Sequence, residues 1–154
     1  MALSKSVLKA SLQTFCNENS PSFSGFPESF GEAATVWADA FDTYARMVTP
    51  ASSTIQAAKT AFRQQFVLSQ DMQDISFLSA CFAAYTKVLA AGMAPAFIAT
   101  PPLQSALNLR MLQELGTNGA SSSDCIDTLV ALVDIWMRTG IAVNAVTGVS
   151  ILWV

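Results

Sequence analysis

The chain predicts a mainly α protein, a bundle of about five to six helices carrying an extended Pro-rich arm and a short C-terminal strand or hairpin. Three observations predict it. Apolar residues recur at helical spacing over most of the chain, most clearly at Phe30, Ala33, Ala34, Trp37, Phe41, Tyr44 and Val48. Prolines gather at Pro95, Pro101 and Pro102, where no helix can run through. Residues 141–154 then turn to β-branched types around Gly148, the signature of a strand or small hairpin.

At 154 residues the chain is one domain, 1–154, with an arm at 94–102 and a strand-like tail at 141–154. Of its residues 52% are hydrophobic and 12% charged, against roughly 25% charged in an ordinary soluble domain. A chain of this size buries roughly 70% of the surface its unfolded form exposes. The apolar surplus must therefore face other subunits or lipid. A spanning helix needs about 20 mainly apolar residues, and both uncharged stretches are interrupted. Gly92, Pro95, Pro101 and Pro102 break residues 88–109, and Gly140, Asn144, Thr147 and Gly148 break residues 139–154. Subunit contact is the expectation, with no membrane partner.

Taking the elements in order, Leu3, Val7, Leu8, Leu12, Phe15 and Cys16 set a first helix ending near Asn17, with Ser4 and Ser6 placed to cap it. Residues 19–27 collect turn formers and two phenylalanines that need cover. The second helix has an aromatic face, with Glu32, Asp39, Asp42 and Arg46 opposite it. Asp42 and Arg46 stand four apart in the order that favours a helical ion pair. Residues 49–53 close this helix and cap a third, with Ile55, Ala58, Phe62 and Phe66 inward and Lys59 and Arg63 outward. So short a link makes the two antiparallel neighbours.

Residues 75–93 read as a central helix, because its only charge is Lys87 and its alanines allow close approach on more than one side. The arm follows, too apolar to hang in water. Residues 103–115 resume as a helix through Leu107, Met111, Leu112 and Leu115, stopped by Gly116. A turn at 118–123 delivers Asp124 as the cap of a last helix, residues 125–139, with Arg138 complementing the helix dipole and Gly140 ending it. A tail this apolar must be tied down by the bundle or by a neighbouring chain.

Composition removes much of enzymology. With no His, the Ser-His-Asp and Cys-His arrangements and His-ligated metal sites are excluded. Eight Lys and Arg against eleven Asp and Glu leave a net charge of −3 and no basic stripe, so no direct nucleic acid partner is expected. Cys16, Cys81 and Cys125 are odd in number and widely spaced, and read as buried thiols in a reducing compartment. The start of the chain keeps Lys9, Gln13 and Glu18 and lacks the apolar core of a secretory signal. Three Asp-x-x-Asp pairs occur, at Asp39 and Asp42, Asp71 and Asp74, and Asp124 and Asp127. Helix caps and solvated faces account for them, so no catalytic, metal or cofactor-binding residues are assigned.

The order of features, Ala-rich helices, then Gly92-Met93-Ala94-Pro95-Ala96-Phe97-Ile98-Ala99-Thr100-Pro101-Pro102, then Trp136-Met137-Arg138-Thr139-Gly140-Ile141-Ala142-Val143 before Trp153, resembles small structural (virion) proteins of tailed bacteriophages, best over residues 70–154. The resemblance implies a virion component of the neck (head–tail connection), tail or baseplate, made in the host cytoplasm and present in several copies. It carries no catalytic residues.

The expectation is thus a non-enzymatic homo-oligomer contacting copies of itself and other virion proteins. The residues expected at the interface are Pro95, Phe97, Ile98, Pro101 and Pro102 of the arm and Val149, Ile151, Leu152 and Trp153 of the tail. The alternative is a helical binding module, a regulator or chaperone, holding an apolar ligand or peptide against Trp37, Phe41, Phe82 and Trp136.

Overall fold

A computed structural model describes residues 2–72, 74–115 and 121–154. Its described residues form six helices, α1 (Lys5–Cys16), α2 (Phe30–Ala45), α3 (Ile55–Leu68), α4 (Ser76–Ala91), α5 (Gln104–Leu115) and α6 (Ser122–Met137). Three strands complete them, β1 (Phe97–Thr100) between α4 and α5, and β2 (Ile141–Asn144) and β3 (Ser150–Leu152) after α6. The helical bundle with C-terminal strands is as the periodicity predicts. Gly116 and residues 118–120 of the turn predicted at 118–123 lie outside the described residues.

Phe41 of α2 is the centre of the core. Its ring meets Tyr44, Phe62, Phe82 and Tyr85 with centroids 4.7 to 6.0 Å apart, in the tilted and edge-on geometries aromatic rings prefer. Phe30 meets Phe66, and Lys59 pairs with Asp39, so α2 and α3 run antiparallel as their short link requires. Helix α4 packs against α3, α5 and β1, the central place its small residues predict.

Two carboxylates are buried, and the first departs from the sequence reading. Asp42, expected on a solvated face, is only 1% exposed. It forms the predicted ion pair with Arg46 and also accepts a hydrogen bond from Tyr85 Oη at 2.7 Å. Asp134 repeats the arrangement on α6. It accepts from Tyr44 Oη at 2.8 Å and from Arg138 Nε at 3.0 Å, while Arg138 Nη2 donates to the Leu3 carbonyl at 2.9 Å. Helical periodicity places Asp42 near the edge of the apolar face, and a tyrosine hydroxyl from another helix makes its burial tolerable. Burial first, and the hydrogen bond to a carboxylate second, push both tyrosines well above their ordinary pKa. Each arginine is raised mainly by its hydrogen bond to the aspartate.

The caps differ in detail from expectation. Ser4 stands at the start of α1, but its hydroxyl meets Ser6 Oγ and not the backbone. Ser121, not Asp124, is the N-cap of α6, and Asp124 closes the capping box three residues on. The serines and threonine after Pro50 serve another helix altogether. Ser52 Oγ donates to Leu89 O at 2.7 Å, Thr54 Oγ1 to Val88 O at 2.7 Å and Ser53 Oγ to Gly92 O at 3.0 Å. They add side-chain hydrogen bonds to carbonyls at the end of α4, where Val88 O and Leu89 O also accept from Gly92 N.

Side-chain exposure needs three further corrections. Leu112, expected inward, is exposed on α5. Cys125 is exposed on the first turn of α6, Cys16 is half-buried and only Cys81 is buried. Burial pushes the Cys16 and Cys81 thiols up to about 12. In the 19–27 loop, Phe23 and Phe26 cover each other edge-on at 4.9 Å, leaving Phe26 exposed.

Candidate assembly surface

The arm and the tail, 43 residues apart in the chain at the paired positions Ala99 and Ala142, belong to one sheet. The order is β1-β2-β3, all antiparallel, with β2 in the middle. The arm is therefore not a free segment. Phe97 faces Asn144, Ile98 faces Val143, Ala99 faces Ala142 and Thr100 faces Ile141. On the other side of β2, Ile141 faces Leu152, Ala142 faces Ile151 and Val143 faces Ser150.

Strand alternation divides these residues between two faces. The inner face presents Phe97, Ala99, Ala142 and Ile151 to the helices, and all four join the core or pack on it. Facing outward are Ile98, Thr100, Ile141, Val143, Ser150 and Leu152, with Ile98 70% and Leu152 57% exposed. Val149 and Val146 extend the exposed apolar surface into the hairpin, whose turn is closed by Asn144 Oδ1 accepting from Val146 N and Thr147 N at 2.9 Å. No Lys, Arg, Asp or Glu occurs from residue 139 to 154 or from 88 to 109, so the whole outer face is uncharged.

Three anchors fix the sheet to the bundle. Phe97 N donates to Met93 O at 3.1 Å, continuing from the end of α4. Val154 exchanges main-chain hydrogen bonds with Thr49, at 2.7 and 3.3 Å. Trp153, fully buried, lies against Gly140, where a Cβ would come within 2.4 Å of its ring. The bundle thus ties the tail down.

These positions sort the expected interface residues. Pro95, Ile98, Val149 and Leu152 are exposed, and the sheet gathers Ile98 and Leu152 on one face. Phe97, Pro101 and Ile151 are half-buried. Pro102 is buried, and Trp153 is a core residue with no surface to offer. Its place in the apolar strand-like tail predicts a contact residue, but the glycine thirteen positions earlier makes its socket. Ile141 and Val143 were missed as surface residues. The period-two pattern through Ile141-Ala142-Val143 carried that signal, since Ala142 is the small residue that fits beneath the sheet.

The alternative pocket does not gather its four residues in one cavity. Phe41, Phe82 and Trp136 are buried and pack on one another in series, Phe41 on Phe82 at 4.7 Å and Phe82 on Trp136 at 6.5 Å. Trp37 lines a separate cleft of about 340 Å³ with Cys16, Ile75, Leu78, Cys125 and Leu129. Five of the six carboxylates of the Asp-x-x-Asp pairs are engaged elsewhere: Asp42 with Arg46 and Tyr85, Asp39 with Lys59, Asp127 with Lys9, Asp74 with Ser76 and Asp124 in its capping box. No group of three metal-ligating side chains forms among the described residues, and no described helix is long and apolar enough to cross a membrane. Comparison with family models, with curated proteins and with solved structures returns no match.

Proposed function

We propose that the chain is a non-enzymatic structural component of a phage virion, in the neck, tail or baseplate, which assembles with copies of itself and other virion proteins through the outer face of its sheet. The observation that carries the reading is that face: Ile98, Ile141, Val143 and Leu152 side by side, uncharged, on a sheet fastened to a rigid bundle. Contiguous exposed apolar surface on a soluble fold marks an interaction site. The resemblance of residues 70–154 to phage structural proteins supplies the setting. Function here needs no reactive group, because a rigid subunit that presents an apolar face is what an assembly requires.

The test is composition of the particle. Virions purified by density gradient from the lysate that contains this protein should yield its peptides by mass spectrometry, at several copies per particle. Their absence from purified particles, with the protein present in the lysate supernatant, would reject the assignment.

One observation favours the second reading, a binding module. The cleft beside Trp37 has mostly apolar walls and is open enough for a small apolar ligand or side chain. Ligand-dependent quenching lost in Trp37→Phe would support it.

A further inference from the structure

Two of the three cysteines line one cleft. Cys16, the last residue of α1, and Cys125, in the first turn of α6, both border the opening of about 340 Å³ beside Trp37, with Leu78 of α4 and Leu115 of α5 on its other walls. All three thiols are free and they differ in access: Cys125 is exposed, Cys16 is half-buried, and Cys81 is buried and does not line the cleft.

The register of the two helices brings these thiols to one level. Helices α1 and α6 pack together and run antiparallel, pinned at one end by Arg138 Nη2 on the Leu3 carbonyl at 2.9 Å and midway by Lys9 Nζ on Asp127 Oδ1 at 2.5 Å. From Lys9, the seven residues to Cys16 make nearly two full turns and carry the chain about 10 Å further, back to the side that faces α6. The same distance back from Asp127 reaches the start of α6. Cys16 thus stands level with the turn that holds Ser122 and Cys125, and both of these border the cleft with it.

We infer that Cys16 and Cys125 are a redox pair that closes to a disulfide within one chain by exchange with a small soluble disulfide such as oxidised glutathione. Cys125 reacts first because it is exposed. Its thiolate attacks one sulfur of the oxidant, a bond forms between Cys125 and one glutathione, the oxidant's own disulfide bond breaks, and the other glutathione leaves and takes up the proton that Cys125 shed. The Cys16 thiolate then attacks the Cys125 sulfur and expels the bound glutathione, which takes up the Cys16 proton. Two protein thiols are oxidised and one small disulfide is reduced to two thiols. Burial pushes the Cys16 thiol up to about 12, so the second step is slow at neutral pH and quickens about tenfold per pH unit with the thiolate fraction. A disulfide holds its two Cβ atoms about 3.8 Å apart, so the bond draws the end of α1 onto the start of α6 and narrows the cleft beside Trp37. The inference is independent of the assembly reading, which needs no thiol.

The experiment incubates the full chain with oxidised glutathione and follows it by intact mass and by peptide mapping without reduction. The parent should lose the mass of two hydrogen atoms, yield a peptide joining residues 16 and 125, and run as a single chain on a non-reducing denaturing gel. Cys16→Ser should stop at a mixed disulfide, heavier by one glutathione on Cys125. Cys125→Ser should stay unmodified, and Cys81→Ala should react as the parent does. Once free oxidant is removed, any mixed disulfide left on the parent should convert to the internal bond about tenfold faster per pH unit. A mixed disulfide on the parent's Cys125 that never resolves, a bond that joins two chains, a bond that includes Cys81, or no reaction at all overturns the inference. Circular dichroism shows whether each variant is folded, and if Cys16→Ser is not, the joined peptide from the parent decides alone.

Discussion

The ring of Trp153 occupies the space that a side chain at residue 140 would need: a Cβ on Gly140 would lie 2.4 Å from Trp153 Cδ2 and 2.7 Å from Cε3. Helix α6 ends at Met137, three residues before this glycine, and the chain after β3 returns to lay its indole there. Gly140→Ala should cost about 1–3 kcal/mol through overpacking, and Trp153→Ala about 3–5 kcal/mol through the cavity it leaves. Urea unfolding followed by circular dichroism measures both. A Gly140→Ala protein as stable as the parent would contradict the packing described.

Trp153 and Trp136 differ in a way that the same assay separates. Trp136 Nε1 donates to Leu103 O at 2.8 Å, whereas Trp153 Nε1 is buried without a partner. Replacement by Phe removes similar volume from each, but only Trp136→Phe breaks a hydrogen bond, at a cost of about 1 kcal/mol. Trp136→Phe should therefore be the more damaging of the two. The reverse order would show that the Trp153 N–H is satisfied in solution.

Tyr85→Phe and Tyr44→Phe each take one hydrogen bond from a buried aspartate that keeps its arginine. Hydrogen bonds to charged groups are worth roughly 1.5–3 kcal/mol, so each variant should lose stability in that range. Losses below about 0.5 kcal/mol in both would show that Asp42 and Asp134 do not depend on the hydroxyls.

Alkaline pH should loosen the fold for a reason that can be given a sign. Folding raises the Cys16 and Cys81 thiols from 9.0 to about 12 and raises both tyrosines from 10.0. The unfolded chain then releases protons that the folded chain keeps, so stability is full below pH 9 and falls as pH rises. The thiols act between pH 9 and about 12, and the tyrosines from pH 10 upward. Urea midpoints at pH 7, 8.5, 9.5 and 10.5 should be level over the first pair and drop over the second. Cys81→Ala, with its smaller side chain, shifts the baseline but should flatten the first part of that fall.

Gly92 sets a second close approach. A Cβ there would meet Thr54 Oγ1 at 2.2 Å and Ser52 Oγ at 2.3 Å, the hydroxyls that cap α4. Gly92→Ala should displace both and cost about 2 kcal/mol or more. Ser52→Ala, which loses one cap and makes no clash, should cost less, about 1 kcal/mol. Thermal melts of the two variants give the comparison.

Local rules made the helices legible. The run from Phe30 to Val48 declares its buried face by spacing alone, and Ile55, Ala58, Phe62 and Phe66 do the same for α3. What escaped depends on residues distant in the chain. Asp42 looks solvated until Tyr85, 43 residues on, is seen to reach it. Ser52, Ser53 and Thr54 resemble caps for the helix they precede, but the carbonyls of α4 lie nearer. The arm at 94–102 carries the apolar and proline signals of an extended segment, yet nothing local says that its partner is Ile141-Ala142-Val143-Asn144. For the candidate surface, Ile98 and Leu152 were legible as exposed, while Trp153 was misjudged because its socket is a glycine, which leaves no mark in an apolar pattern.

The proposed role stands or falls on whether the outer sheet face is covered in solution. Light scattering after size exclusion, from low micromolar to high micromolar protein, measures the mass directly against the 16.4 kDa protomer. Assembly through Ile98, Ile141, Val143 and Leu152 predicts a discrete multiple of that mass, reduced when Ile141 and Leu152 are both changed to Lys. A 16.4 kDa species at every concentration would contradict it.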